Sequence, residues 1–212
     1  EEMSLAYDLK VVDVFKGEAA TAEMLALNGR GRVPVLVDND AVDGRNIVTQ
    51  SWVIALYLAE KTGLFMPQDL RGRAATLEWL FWQMAGQGPM TGQYGHFNVY
   101  APEKIPYAID RYVNETNRLY GVLNRRLADR EYVAGEYSIA DMAAYPWIVP
   151  YERQGQKLED FPHLKRWFAA IRERPATKRA YALVEKINPA PVITEAEKKI
   201  LFGQDASTVR PN

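Results

Sequence analysis

Two hydrogen-bonding residues, Gln50 and Ser51, stand directly before an apolar run, residues 52–62, that reads as a helix ending at Gly63. Ser at such a place has two readings. It is a favoured N-cap that satisfies a free N–H of the first helical turn. Equally, the unpaired N–H groups and partial positive charge of a helix start make a site for a small carboxylate. Ile54 stands where a capping box would want Glu or Gln, so Ser51 has no reciprocal acid and is freer to serve a ligand. Other chemistry is thinly supplied. With zero Cys there is no disulfide framework, thiolate metal site or cysteine nucleophile in these residues, and two His, His96 and His163, are too few for a typical zinc site.

The elements that must position Gln50 and Ser51 follow from pattern. Tyr7, Leu9 and Val11 alternate with Asp8 and Lys10, which predicts a strand over residues 7–14, and the preceding EEMSLAY reads as the last turn of a helix. A short helix over 19–27 closes at Asn28-Gly29. RVPVLVD and NIVTQ are then expected as two strands joined around NDAVDGR. From about Asp69 the period becomes helical throughout. One helix over 71–88 is disturbed near Gly86, Gly88 and Pro89; another over 104–129 carries Ile109, Tyr112, Thr116, Leu119, Leu123 and Leu127 on one face. The stretch between them, MTGQYGHFNVYAPE, reads as a loop rich in rings and amides. Ser138 and Asp141 have capping-box spacing, and two shorter helices follow over FPHLKRWFAAIRER and PATKRAYALVEK, the second with Pro175 as a first-turn proline. Prolines after Asn188 exclude regular helix. Thr194 and Glu197 then give a second capping signal over AEKKILFG, whose apolar Ile200, Leu201 and Phe202 argue for docking rather than a free tail.

A chain of 212 residues, 48% hydrophobic and 11% aromatic, has ample material for a packed core. The formal charge of -1 gives no electrostatic reason to expect nucleic acid or an anionic membrane as partner. No apolar run reaches the ~20 residues of a membrane span, so a cytoplasmic location is the default expectation.

The order of RVPVLVD, a turn, IVTQS, WVIALYLAEKTG, an all-helical region and YSIAD resembles that of cytosolic glutathione transferases over about residues 1–185. The stretch from WLFWQMAGQGPMTGQYGHFNVY to YSIADMAAYPWIVP, with the tail KKILFGQDA, is similar to the nu-class bacterial enzymes that reduce disulfides with glutathione, and to their relative, the fungal nitrogen regulator. This resemblance implies an α/β thioredoxin-like domain over 1–65 lacking its first strand and most of its first helix. An all-α helical domain over 69–187 and an extension over 188–212 follow it, in a homodimer with active sites near the subunit boundary. It implies glutathione as cofactor and a small electrophile or disulfide as second substrate, with no metal. A glutathione-binding regulatory protein with little turnover is the alternative on the same fold.

The family's roles transfer onto particular residues. Gln50 would bind the γ-glutamyl amino or carboxylate group, and Ser51 the carboxylate through hydroxyl and backbone N–H. Val33-Pro34 would be a cis bond that turns the Val33 backbone toward the cysteinyl part of glutathione, pairing it like an added strand; from the residues alone Pro34 reads as trans. Arg32 would meet the glycyl carboxylate or remain solvated. An acceptor pocket between the domains would use Gln93, His96, Phe97 and Tyr100, although Phe97 and Tyr100 equally suit core or dimer positions and His96 a loop. Arg111 and Arg118, seven residues apart on one helix face, are candidates for glutathione's carboxylates. The thiol-activating Tyr, Ser, Thr or Asn is expected upstream of Glu1. Two departures from the nu-class pattern stand out: Arg30 occupies the place of the second Asn in an Asn-Pro-Asn-Gly turn, and Glu18-Ala19 replaces Gly-Gln.

Overall fold

The computed structural model describes residues 1–187 and 193–205, so the expectation for the prolines after Asn188 lies outside the described residues. The chain divides into two compact units, one formed by Glu1–Leu58 with the chain from Arg179 onward, the other by Ala59–Lys178.

In the first unit, Asp13 caps a 3-10 turn, Val14–Lys16, by accepting from the N–H groups of Phe15 (3.0 Å) and Lys16 (3.3 Å). Thr21 caps helix α1, Ala22–Leu27. Strands β1, Val35–Asp38, and β2, Asn46–Thr49, pair antiparallel with Val35 opposite Thr49 and Asp38 opposite Asn46. Helix α2, Ser51–Thr62, follows at once. The expected strand over 7–14 does not form. Tyr7, Leu9 and Val11 are about half exposed, at 52%, 52% and 53%, and the described sheet contains β1 and β2 alone. Alternation fixes which side chains share a face, but a strand exists only beside a partner, and neither β1 nor β2 offers its free edge to this segment. The opening residues make a single turn, Ser4 N–H to Glu1 C=O at 3.1 Å, rather than the end of a helix.

The second unit is helical. Helix α3, Leu70–Trp82, runs through a π turn at Gln83–Gln87 into α4, Gly88–Gly95, and a second π turn at His96–Tyr100. Residues 90–100 are therefore helical, not the loop that their Gly and amide content predicts. Packing overrides propensity here. The N–H groups of Gly88 and Ala101 reach back five residues to Gln83 and His96, which admits an extra residue per turn without ending the helix. A Cβ on Gly88 would lie 2.8 Å from Gln83 Nε2 and 3.3 Å from the Trp147 ring, so a side chain there would force these neighbours to shift.

Helix α5, Pro106–Arg126, buries Thr116, Leu119 and Leu123 of the predicted face, and Tyr120 beside them. Helix α6, Ile139–Ile148, starts at the predicted capping box. Asp141, fully buried, accepts from Val133 N–H (3.0 Å), Ser138 N–H (3.1 Å), Ser138 Oγ (3.3 Å) and Trp167 Nε1 (2.8 Å). Burial raises its carboxyl above the ordinary range, and these four donors pull it back. Helix α7, Pro162–Arg172, supplies Leu164, Trp167, Phe168 and Ile171 to the same core, and α8, Pro175–Ile187, follows.

Helix α9, Glu195–Phe202, has the predicted Thr194–Glu197 box and packs on the Val14–Lys16 turn within the first unit. A Cβ on Gly17 would lie 3.8 Å from Ile200, so the docking expected of the apolar tail residues occurs. Among the described residues no helix is long and apolar enough to cross a membrane, and no cluster of His, Cys, Asp and Glu could hold a metal ion.

Candidate functional site

A concavity of about 360 Å³ in the first unit is lined by Asn28, Arg30, Arg32, Val33, Pro34 and Gln50. Three expected binding residues of the loop, Arg32, Val33 and Pro34, and one of the helix start, Gln50, thus meet at one place. The Val33-Pro34 bond is cis. It leads directly into β1, whose first residue, Val35, pairs with Thr49 just ahead of Gln50.

The helix start differs by one residue from the sequence expectation. Ser51 is the first helical residue, not the cap: the Gln50 carbonyl accepts the Ile54 N–H at 2.9 Å. Gln50 itself has left-handed backbone, φ 77, which costs a side-chain-bearing residue roughly 1–2 kcal/mol. The shift places the backbone N–H of Ser51 among the first-turn donors that have no intrahelical acceptor. It also makes Val53, 52% exposed, the third helical residue, so no acid folds back over the helix start.

The loop that carries Arg30 and Arg32 is held by Asn28, which is 6% exposed. Its Oδ1 accepts from Arg30 N–H (3.2 Å) and Arg30 Nε (3.3 Å), and its Nδ2 donates to the Arg32 carbonyl (2.7 Å). Gly31 turns the loop with φ +59, in close quarters with Leu25 and the Ala19 carbonyl. Arg30 Nη2 donates to Thr49 Oγ1. Sequence reasoning assigned Asn28 to closing α1 and Arg30 to a departure from pattern, and missed both as site residues. Their signal is the i, i+2, i+4 spacing of Asn28, Arg30 and Arg32, which an Asx turn puts on one side.

The concavity is lined by two guanidiniums and no carboxylate. Two guanidiniums beside a helix N-terminus make a surface that favours anionic groups such as carboxylates.

The expected acceptor-pocket residues all lie in the second unit. Gln93 is exposed on α4. His96 and Phe97 meet edge to face at 5.2 Å, and Phe97 stacks on Tyr112 of α5 at 5.6 Å and 9°. Half-buried Tyr100 ends the same π turn. Arg111 is exposed on α5. The Arg118 guanidinium is held by Glu115 in two hydrogen bonds of 2.7 and 2.8 Å. A second, larger concavity of about 620 Å³, lined by Trp79, Trp82, Val122 and the Arg125–Arg130 region, contains none of the expected site residues.

The glutathione S-transferase N-terminal domain model matches residues 1–61, and the glutathione S-transferase C-terminal domain model matches residues 89–175. The disulfide-bond oxidoreductase YfcG of Escherichia coli is 49% identical over 183 residues, 85% of each chain. A Burkholderia graminis glutathione transferase, solved with two glutathione molecules bound per subunit, has a TM-score of 0.79 and 38% identity, covering 84% of this chain and 78% of that one. A Pseudomonas putida glutathione transferase, solved with one glutathione disulfide bound per subunit, has a TM-score of 0.78 and 37% identity, covering 84% of this chain and 81% of that one.

Proposed function

Since the chain belongs to the glutathione S-transferase family, we propose that it is a glutathione-dependent disulfide oxidoreductase whose glutathione site is the concavity between cis-Pro34 and the start of α2. The observation that carries this reading is the convergence of a cis X-Pro bond, two guanidiniums and Gln50 on one carboxylate-free surface, with Ser51 next along the chain at the open start of α2 rather than in the lining itself. Ser51 offers hydroxyl and backbone N–H to the γ-glutamyl carboxylate, and Gln50 binds the adjoining polar group. The Val33 backbone pairs with the cysteinyl unit in the manner of an added strand, and Arg32 takes the glycyl carboxylate. When bound, glutathione supplies the thiol that reduces a disulfide by thiol–disulfide exchange. A protein with zero Cys can act in this way because the reacting sulfurs belong to its ligands.

In the same reading residues 1–65 form the glutathione-binding domain, residues 69–187 the helical domain and residues 188–212 an extension, in a cytoplasmic homodimer. Gln93, His96, Phe97 and Arg111 serve the second substrate. Arg118 is the weakest member of that set, because Glu115 already holds its guanidinium. Calorimetry with glutathione, followed by turnover of a small dithiol-forming disulfide and of an aromatic electrophile, tests the proposal. Binding with disulfide reduction supports it; binding with conjugation alone replaces the reaction but keeps the site; binding without turnover favours a regulatory glutathione-binding protein; absence of binding removes the site.

A further inference from the structure

Arg30 is presented to the concavity by a fixed loop. Its backbone N–H is tied to Asn28 Oδ1, and Gly31 N–H closes the turn on the Asn28 carbonyl at 2.9 Å. The side chain nevertheless ends exposed, on the concavity's surface. Its hydrogen bonds are to two neutral oxygens, Asn28 Oδ1 and Thr49 Oγ1. Thr49 directly precedes Gln50, so the guanidinium rests beside the start of α2. A carboxylate offers a guanidinium an opposite charge and two oxygens that match its fork, neither of which an amide or hydroxyl oxygen supplies. A carboxylate arriving at this helix start therefore displaces Thr49 favourably.

We propose that Arg30 is a further ligand-binding residue of this site: it leaves Thr49 for a carboxylate of the bound peptide, so that with Arg32 the concavity selects peptides bearing more than one carboxylate. This rests on the glutathione reading above. A neutral Asn at this position, as the nu-class pattern has it, could accept or donate a hydrogen bond but could not supply that charge.

Calorimetry on the full chain with glutathione, at low and high salt, compares wild type with Arg30→Asn, Arg30→Lys and Thr49→Val. Arg30→Asn is expected to weaken binding about tenfold at low salt and to flatten its salt dependence. Arg30→Lys restores the salt dependence and part of the affinity. Thr49→Val retains the guanidinium and binds within about twofold of wild type. Wild-type affinity and salt dependence in Arg30→Asn overturn the proposal. So does a Thr49→Val protein as weak as Arg30→Asn, which would assign Arg30 to holding the strand end. A wild-type protein that binds no glutathione removes the functional reading itself, a result distinct from either.

Discussion

Helices α2 and α6 both begin where a polar residue meets an apolar run, yet their starts are finished in opposite ways. At α6, Ser138 caps and Asp141 folds back, so the helix end is consumed by a buried carboxylate with four donors. At α2 the corresponding third helical residue is Val53, half exposed, and the start opens beside a concavity with two arginines. The difference teaches that a helix start which the chain does not close with its own acid keeps its donors available. One start is closed by the fold; the other, in the reading proposed above, serves the ligand.

The comparison breaks most visibly at Asp141. Asp141→Ala leaves the donors at Val133, Ser138 and Trp167 buried without an acceptor and is expected to cost about 3–5 kcal/mol, read as a loss of the native denaturant midpoint. Ser51→Ala should do the reverse: stability nearly unchanged, glutathione affinity reduced roughly 10 to 100 fold, or ~1.4–2.8 kcal/mol by calorimetry. Equal effects of the two substitutions on stability would erase the distinction. Val53→Glu transplants an acid to the open start. Its carboxylate can reach back to the Gln50 N–H and places a negative charge at the open start, so glutathione binding is expected to weaken about tenfold while the melting temperature holds or rises.

The smallest effect belongs to Arg118. Its hydrogen bonds hold the Glu115 carboxyl below the usual carboxylate range. A depressed carboxyl contributes stability above its unfolded value, near ~4.3, and loses it as pH falls through the folded value. The Arg118 side chain is 61% exposed, so Arg118→Ala should cost at most about 1 kcal/mol near neutral pH, and progressively less in thermal melts as pH is lowered through the folded value of Glu115.

The sequence made the α5 face, both capping boxes and the β1–β2 pair legible because each depends on neighbours within a few residues. The cis Val33-Pro34 bond was legible through family resemblance alone. What escaped depended on distant partners. Tyr7, Leu9 and Val11 alternate correctly but lack a neighbouring strand in the described sheet, and residues 90–100 are helical where Phe97 stacks on Tyr112 of another helix, a contact that local composition does not reveal. Arg30 escaped for a third reason. Its place in the concavity depends on an Asx turn at Asn28, and Asn-Gly reads first as the end of a helix.

Helix α9 gives the two units different histories on the ribosome. The unit from Ala59 to Lys178 is continuous and can fold as it emerges, whereas the Val14–Lys16 turn must wait for Glu195–Phe202. At roughly 5–20 residues per second, the intervening stretch of about 180 residues takes on the order of 9–36 s to synthesise. For that interval the segment carrying cis-Pro34 and Gln50 exists without its closing helix, so the first unit, though it comes first in sequence, is the last to be completed.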